Sequence, residues 1–265
     1  DPQFGNQWAL NNTGQSGGTV GADIDALAAW NASGISTGNG TVVVAVVDTG
    51  VSYSNVDLSA NIWSNPSEVA SNGIDDDLNG YIDDTRGWDF VNRDNDPNDD
   101  NGHGTHVAGS IGAMGNNGVG IAGVAWNVKI MPLKFLNSQG SGSTVDAIRA
   151  IQYAASFKDS SGNPIVRIHN YSWGGGGYSE ALRSAIASSG AVVAAAAGNN
   201  GSSSIHYPAG YDVDNIISVA ATDRYDQLAS FSNFSTTWVD LAAPGVDILS
   251  TNGRNKYVTK SGTSM

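Results

Sequence analysis

The residues that most constrain the fold are seven in a row, 41–47, reading Thr-Val-Val-Val-Ala-Val-Val and stopped by Asp48-Thr49-Gly50. Such an unbroken run suits a strand buried on both faces and ended by a turn. Runs of the same kind recur at 128–135, 165–169, 191–197 and 216–220, and a last strand is read at 257–260. Helix-length segments lie between them. Residues 143–157 open on a Ser/Thr cap and put Val145, Ile148, Ile151 and Ala155 on one helical face. Residues 179–189 put Ala181, Leu182, Ala185 and Ile186 inward and stop at Gly190. Strands alternating with helices predict an α/β fold, a doubly wound, mostly parallel sheet with helices on both faces. No repeat or linker divides the chain, so residues 1–265 are expected to form one domain.

Sheets of this kind bind and react at the carboxyl ends of their strands. Asp48 follows the first run, Gly198-Asn199 follows the run at 191–197, and Ser261-Gly262-Thr263-Ser264 follows the last strand. Polar, nucleophile-capable groups are thus expected at three strand ends of one sheet. Two of the four histidines lie in Asn101-Gly102-His103-Gly104-Thr105-His106-Val107-Ala108-Gly109. A helix starting near His103 places that imidazole at the edge of the site and turns His106 inward. A zinc site on this pair would lack both a Glu base between them and a third ligand nearby.

Charge and composition exclude other functions. Twelve basic against 25 acidic residues give −13, which leaves no basic face for nucleic-acid phosphates or anionic lipid. Cysteine is absent, so disulfides, thiol catalysis and cysteine metal sites are excluded. The apolar runs are far too short to span a bilayer as a helix. An acidic, Gly-rich chain that opens Asp1-Pro2 reads as the mature or trimmed form of a secreted protein.

The block V-V-D-T-G around Asp48, H-G-T-H-V-A-G from His103 and G-T-S-M around Ser264 resemble the three signatures of the subtilisin-like serine proteases, the subtilases, in the family order Asp, His, Ser. Asp1-Pro2-Gln3-Phe4 and Gly87-Trp88-Asp89-Phe90-Val91 resemble the thermitase-like branch in particular. The resemblance covers almost the whole chain. The family continues beyond the nucleophile into a buried helix opening M-A-x-P, whereas this sequence ends at Met265. The domain is therefore expected to be incomplete at its C-terminus.

The resemblance implies a peptide-bond hydrolase working through an acyl-enzyme. A serine hydroxyl attacks only as a base takes its proton. His103 is the expected base, Asp48 the group that fixes its tautomer, and Ser264 the nucleophile. Asn199 matches the family's side-chain oxyanion donor, with the Ser264 N–H as the second; read without the family, Asn199 is a turn residue. Ser172, Trp173 and Gly174 match one backbone-pairing segment for an extended peptide substrate, and Gly140, Ser141 and Gly142 the other. Trp173 is expected to fill or flatten the distal apolar pocket. His206 stands where the family forms the base of the primary pocket, and its ring either shortens that pocket or turns to solvent.

Calcium is the expected cofactor. Between Glu68 and Asp100 lie eleven acidic residues against Arg86 and Arg93, a net −9 of the total −13. A run of charge is ordinarily a solvated loop, but the spacing here suggests ligands. Asp89, Asn92, Asp94, Asp96 and Asn98 alternate as a calcium loop does, and align on one in the thermitase branch. By resemblance, Asp1, Asp57 and Asn117 with the carbonyls of Met114, Val119 and Ile121 form a second site. A third set is independent of the family: Asp75, Asp77, Asn79, Gly80, Tyr81 and Asp83 reproduce EF-hand positions 1, 3, 5, 6, 7 and 9. Arg86 stands at position 12, so that site lacks its bidentate carboxylate unless Asp84 substitutes, and it is left open.

The expected protein is a secreted, calcium-stabilised serine endopeptidase, a monomer whose partners are polypeptide substrates and a propeptide or proteinaceous inhibitor. The alternatives are an inactive truncated subtilase and a calcium-dependent binding module on the same scaffold.

Overall fold

The computed structural model describes residues 1–32 and 37–265. Seven strands form a parallel sheet: β1 (Val43–Asp48), β2 (Trp88–Asp89), β3 (Lys129–Lys134), β4 (Val166–Tyr171), β5 (Val192–Ala196), β6 (Ile216–Thr222) and β7 (Leu241–Pro244). Their spatial order is β2-β3-β1-β4-β5-β6-β7. β1 pairs with β3 on one side, Asp48 opposite Lys134, and with β4 on the other, Ala45 opposite His169. The strand order reverses at β1, so Asp48 stands at the topological switch point, where doubly wound sheets open a crevice.

All six β1 residues are buried, as a two-faced central strand requires. Val43, Ala45 and Val47 pack with Ala147, Ile151 and Ala154 of α3 (Thr144–Ser156) and Leu182 and Ile186 of α4 (Glu180–Ala187). Val44 and Val46 face Val107 and Ala108 of α2 (His103–Gly112). Ser143 and Ser179 cap α3 and α4 by accepting from the N–H groups of Asp146 and Leu182. The short α1 (Ala26–Asn31) lies near the N-terminus.

Three expectations are corrected. The buried face of α3 runs through Ala147, Ala150, Ile151 and Ala154, while Val145 is 56% exposed, because small alanines let the helix approach the sheet where a β-branched side chain would hold it off. Ala181 of α4 is exposed as well. The last strand, β9 (Lys256–Lys260), is outside the parallel sheet. It pairs antiparallel with β8 (Ile248–Asn252), because strands joined by so tight a turn fold back on each other. This ribbon docks on α2, where Ser250 Oγ donates to His106 O and Thr251 Oγ1 to Thr105 O.

The sheet face shared with α2 is covered unevenly. Beside the ribbon, an apolar cavity of about 590 Å³ is lined by Val44, Val107, Ile111, Ile168 and Val219, and reaches Ser264 and Met265.

Candidate active site

Asp48 ends β1 with a fully buried side chain. Its Oδ1 accepts the Thr49 N–H at 2.7 Å and lies 2.8 Å from His103 Nδ1. Oδ2 is buried with no hydrogen-bond partner among the described residues. His103 opens α2 behind Gly102, whose φ of 94° suits glycine. The turn is fixed by Asp99: its carboxylate accepts from the N–H groups of Asn101, Gly102 and Thr105 and from the Thr49 hydroxyl. Asp99 thus serves the helix N-terminus, where an anion is favoured. Burial presses the His103 imidazole toward neutrality, but the Asp48 carboxylate overrides it and lifts its pKa above the ordinary value. His106, one turn on, is fully buried with Nε2 at the Ile248 and Val258 carbonyls, and burial pushes it down to about 4. It is a neutral structural side chain.

Ser264 follows the ribbon rather than a sheet strand. Its hydroxyl donates to Ser172 O at 3.1 Å, not to His103. Asn199, after β5, accepts from Thr263 N–H (2.9 Å) and Thr263 Oγ1 (3.0 Å) through Oδ1. That holds the amide with Nδ2 beside Gly262. Four separate elements therefore bring Asp48, His103, Asn199 and Ser264 to one end of the sheet.

Around them lie the expected substrate segments. Ser172-Trp173-Gly174 continues from β4, and Trp173 packs edge-on to Phe135 (4.8 Å) and tilted on Tyr171 (5.3 Å). Gly140, Ser141 and Gly142 lie in an exposed turn after β3, where Asn137 N–H donates to Ser141 O. His206 is half-buried against both Gly174 and Gly198; a methyl group at Gly174 would overlap its ring. The ring therefore turns inward, between the β4 and β5 ends.

The metal-ligand candidates fare differently. Asp1 accepts from the N–H groups of Asn116 and Asn117, and Asp57 from Asn117 Nδ2, Ile121 N–H and Tyr257 OH. This gathers Asp1, Asp57 and Asn117 on the loop that carries Met114, Val119 and Ile121. Asp57 is fully buried, and no ion pair to it is present among the described residues. Asp89 is buried too, with its oxygens on the Val91 and Asn92 amides. Asp94 and Asp96 are exposed, as are Asn92 and Asn98. Asp96 takes a hydrogen bond from Tyr53.

In the third set the grouping differs from the EF-hand pattern. Asp83 turns to the Asn72 and Gly73 amides, and Asp75 caps Asn79 and Gly80. Asn79 Oδ1 accepts from Tyr81 N–H. The carboxylates that meet are Glu68, Asp77 and Asp84, with ligand atoms within 4.8 Å of one another. Asp84 is fully buried; desolvation pushes its pKa up to about 6 despite hydrogen bonds from Tyr153, Asn79 and Asn65. Glu68 lay outside the spacing argument, since it precedes the repeat; only the net charge of the segment signalled it. Arg86, at position 12, stacks over the Tyr53 ring at 5.0 Å.

Two buried or half-buried lysines were also missed. Lys134 is 1% exposed and donates to Thr49 O, Leu136 O and Asp100. Lys260 donates to Gly102 O at 2.9 Å. A lysine ending an otherwise apolar or β-rich strand was the available signal for each.

Residues 39–265 match the model of the Subtilase family. The "Thermophilic serine proteinase" of Bacillus sp. (strain AK1) is 41% identical over 266 residues, covering 99% of this chain and 58% of that protein. The "Thermitase" of Thermoactinomyces vulgaris is 38% identical over 252 residues, covering 91% and 75%. A solved structure titled "Crystal structure of a cold adapted subtilisin-like serine proteinase" superimposes with a TM-score of 0.65 at 35% identity, covering 84% of this chain and 70% of that one. The chain thus spans little more than half the length of the Bacillus proteinase.

Proposed function

The chain belongs to the subtilase family, and from that premise we propose that Asp48, His103 and Ser264 work as the charge-orienting, basic and nucleophilic groups of a serine endopeptidase. The observation that carries the reading is the 2.8 Å contact between His103 Nδ1 and the buried Asp48, at the switch point of the sheet and beside the Ser264 turn. A carboxylate on Nδ1 holds that proton there and leaves Nε2 to accept one.

In this reading the Ser264 hydroxyl swings from Ser172 O toward His103. Oγ attacks the scissile carbonyl carbon as His103 Nε2 takes its proton. The oxyanion is met by Asn199 Nδ2 and the Ser264 N–H, donors whose aim is set before the reaction. The C–N bond then breaks, and the leaving amine takes the proton from His103. Water, deprotonated by His103, releases the acyl group and returns the serine. The substrate lies extended between residues 140–142 and 172–174, with its P1 side chain directed at His206. The imidazole there supports a short, polar primary pocket. A propeptide or proteinaceous inhibitor would use the same groove. The acidic, cysteine-free composition supports a secreted protein, and among the described residues no helix is long and apolar enough to cross a membrane.

Calcium stabilisation belongs to the same reading. The donors fit a hard cation: Asp57 is buried with no ion pair among the described residues, and Glu68, Asp77 and Asp84 crowd three carboxylates together. Asp1, Asp57, Asn117 and the Met114, Val119 and Ile121 carbonyls would hold one ion, and Glu68, Asp77 and Asp84 another, with Asp75, Asn79 and Tyr81 shaping that loop. Asp89, Asn92, Asp94, Asp96 and Asn98 remain the third candidate. Bound calcium would supply the positive charge these carboxylates need.

The test is a serine-directed phosphonate followed by intact mass. A single adduct, mapped to Ser264, supports the enzyme. No adduct on a folded, calcium-loaded sample favours a silent module on the same scaffold, a reading for which the Ser264–Ser172 hydrogen bond speaks.

A further inference from the structure

Lys260 lies in the site without a role in the triad, the oxyanion donors or the substrate segments. It ends β9, four residues before Ser264, and its ammonium donates to the carbonyl of Gly102, the residue that precedes His103. One side chain therefore ties the turn that presents the base to the strand that leads to the nucleophile. Gly102 has no slack: its other side abuts Asn252 at the end of β8.

We propose that Lys260 is a positioning residue of the proteolytic site, holding the His103 turn against the Ser264 strand and keeping a fixed positive charge beside the imidazole. The inference rests on the protease reading above. The charge is held in place by its bond to the Gly102 carbonyl. Desolvation lowers the Lys260 pKa, while Asp99 and Asp48 oppose that shift. The groups facing His103 are Asp48 from β1, Asp99 from the turn before α2, Lys260 from β9, and the neutral His106 on its own helix. Two carboxylates favour the imidazolium, and Lys260 is the one cation among these that opposes it. A base must be neutral to accept the serine proton, so a cation here widens the pH range of activity on the acid side.

Three substitutions separate the tether from the charge. Lys260→Arg keeps both, Lys260→Gln keeps a donor without charge, and Lys260→Met removes both. In the full chain, the His103 ring titration is followed by NMR, and the pH profile of peptide hydrolysis is measured alongside. Gln and Met should both move the titration and the acid limb upward by roughly half a pH unit to one, the effect of one nearby charge in partly wet protein. Arg should restore both. Met alone should lower kcat further, with KM little changed. An unmoved titration in Gln and Met, or a shift that Arg fails to restore, overturns the inference even where hydrolysis is normal. A moved titration with no hydrolysis in any form instead overturns the protease reading and leaves the electrostatic role of Lys260 standing. Should Met fail to fold, Gln and Arg decide between the same outcomes.

Discussion

Ser264 and Ser172 hold each other by a reciprocal pair of hydrogen bonds: the Ser264 hydroxyl donates to Ser172 O at 3.1 Å, and the Ser172 hydroxyl donates to Ser264 O at 2.8 Å. The proposed nucleophile is thus joined to the segment expected to pair with substrate. Ser264→Ala should abolish hydrolysis and leave the melting temperature nearly unchanged, because the Ser172 bond to the Ser264 carbonyl survives. Ser172→Ala removes that bond and should cost about 1 kcal/mol of stability. In the wild type the rate should fall as pH drops through the His103 pKa, which Asp48 raises; the acid limb should therefore lie above that of an unperturbed imidazole. A profile flat down to pH 4 would exclude a histidine base.

Asn199 offers a sharper comparison. Its Oδ1 is occupied by Thr263, so the amide can point only its NH₂ at a developing oxyanion. Asn199→Leu should lower kcat by roughly 10²–10³ with little change in KM, the magnitude found for removing one such donor in a subtilisin. A loss in KM alone would reassign the side chain to a turn role.

His206 packs on Gly174 and Gly198, so its ring occupies volume between two strand ends. His206→Gly should open that volume. In a peptide series differing only at P1, kcat/KM for Phe relative to Ala should rise by roughly tenfold or more, the scale of a few buried methylenes. An unchanged ratio would mean the imidazole does not floor the primary pocket.

Much of this was legible because the chemistry is local. Asp48, His103 and Ser264 each sit in a short block with its own turn glycines, and the β1 run shows its burial in sequence. What stayed hidden depends on partners distant in the chain. The period of residues 257–260 identifies a strand but not its neighbour, so the sequence places that strand in the sheet rather than against β8. Glu68 joins Asp77 and Asp84 through a loop closure that no spacing encodes. Val145 is more apolar than Ala147, yet the close approach of α3 to β1 buries the alanine. Lys260 reads as an exposed strand-end lysine until Gly102 is seen opposite it.

The Glu68–Asp77–Asp84 group gives a prediction with a crossover. Without a cation, Asp84 has a folded pKa of about 6 against about 4 unfolded, so the folded state binds the extra proton between these values. Its contribution to stability is therefore favourable at low pH and lost as pH rises through about 6. In excess chelator the melting temperature should rise between pH 7 and pH 5, and Asp84→Asn should remove much of that dependence and stabilise the chelated protein by several degrees at pH 7. With calcium present the same substitution should destabilise. Chelator-independent melting in the wild type would eliminate a structural cation here.

The last prediction concerns the apolar cavity of about 590 Å³ behind Ser264. β1 is covered on this face by α2, whereas Ile168 of β4 and Val219 of β6 look into the cavity, with Ala194 and Ala196 between them. Ile168 and Val219 are only half-buried there, and a large apolar side chain fully exposed rather than buried forgoes about 1.5–3 kcal/mol. A domain has only about 5–15 kcal/mol of net stability to set against that. The cavity also borders the turn Gly262–Ser264, so water entering it should loosen the segment that carries the proposed nucleophile. An apolar helix seated there would cover the sheet face and support that turn, and its amino-terminal dipole could add to the oxyanion donors. Residues 1–265 expressed by themselves should therefore bind a hydrophobic dye, melt over a broad range and hydrolyse peptides poorly. A sharp two-state melt, no dye binding and full turnover would show that the cavity costs the chain nothing.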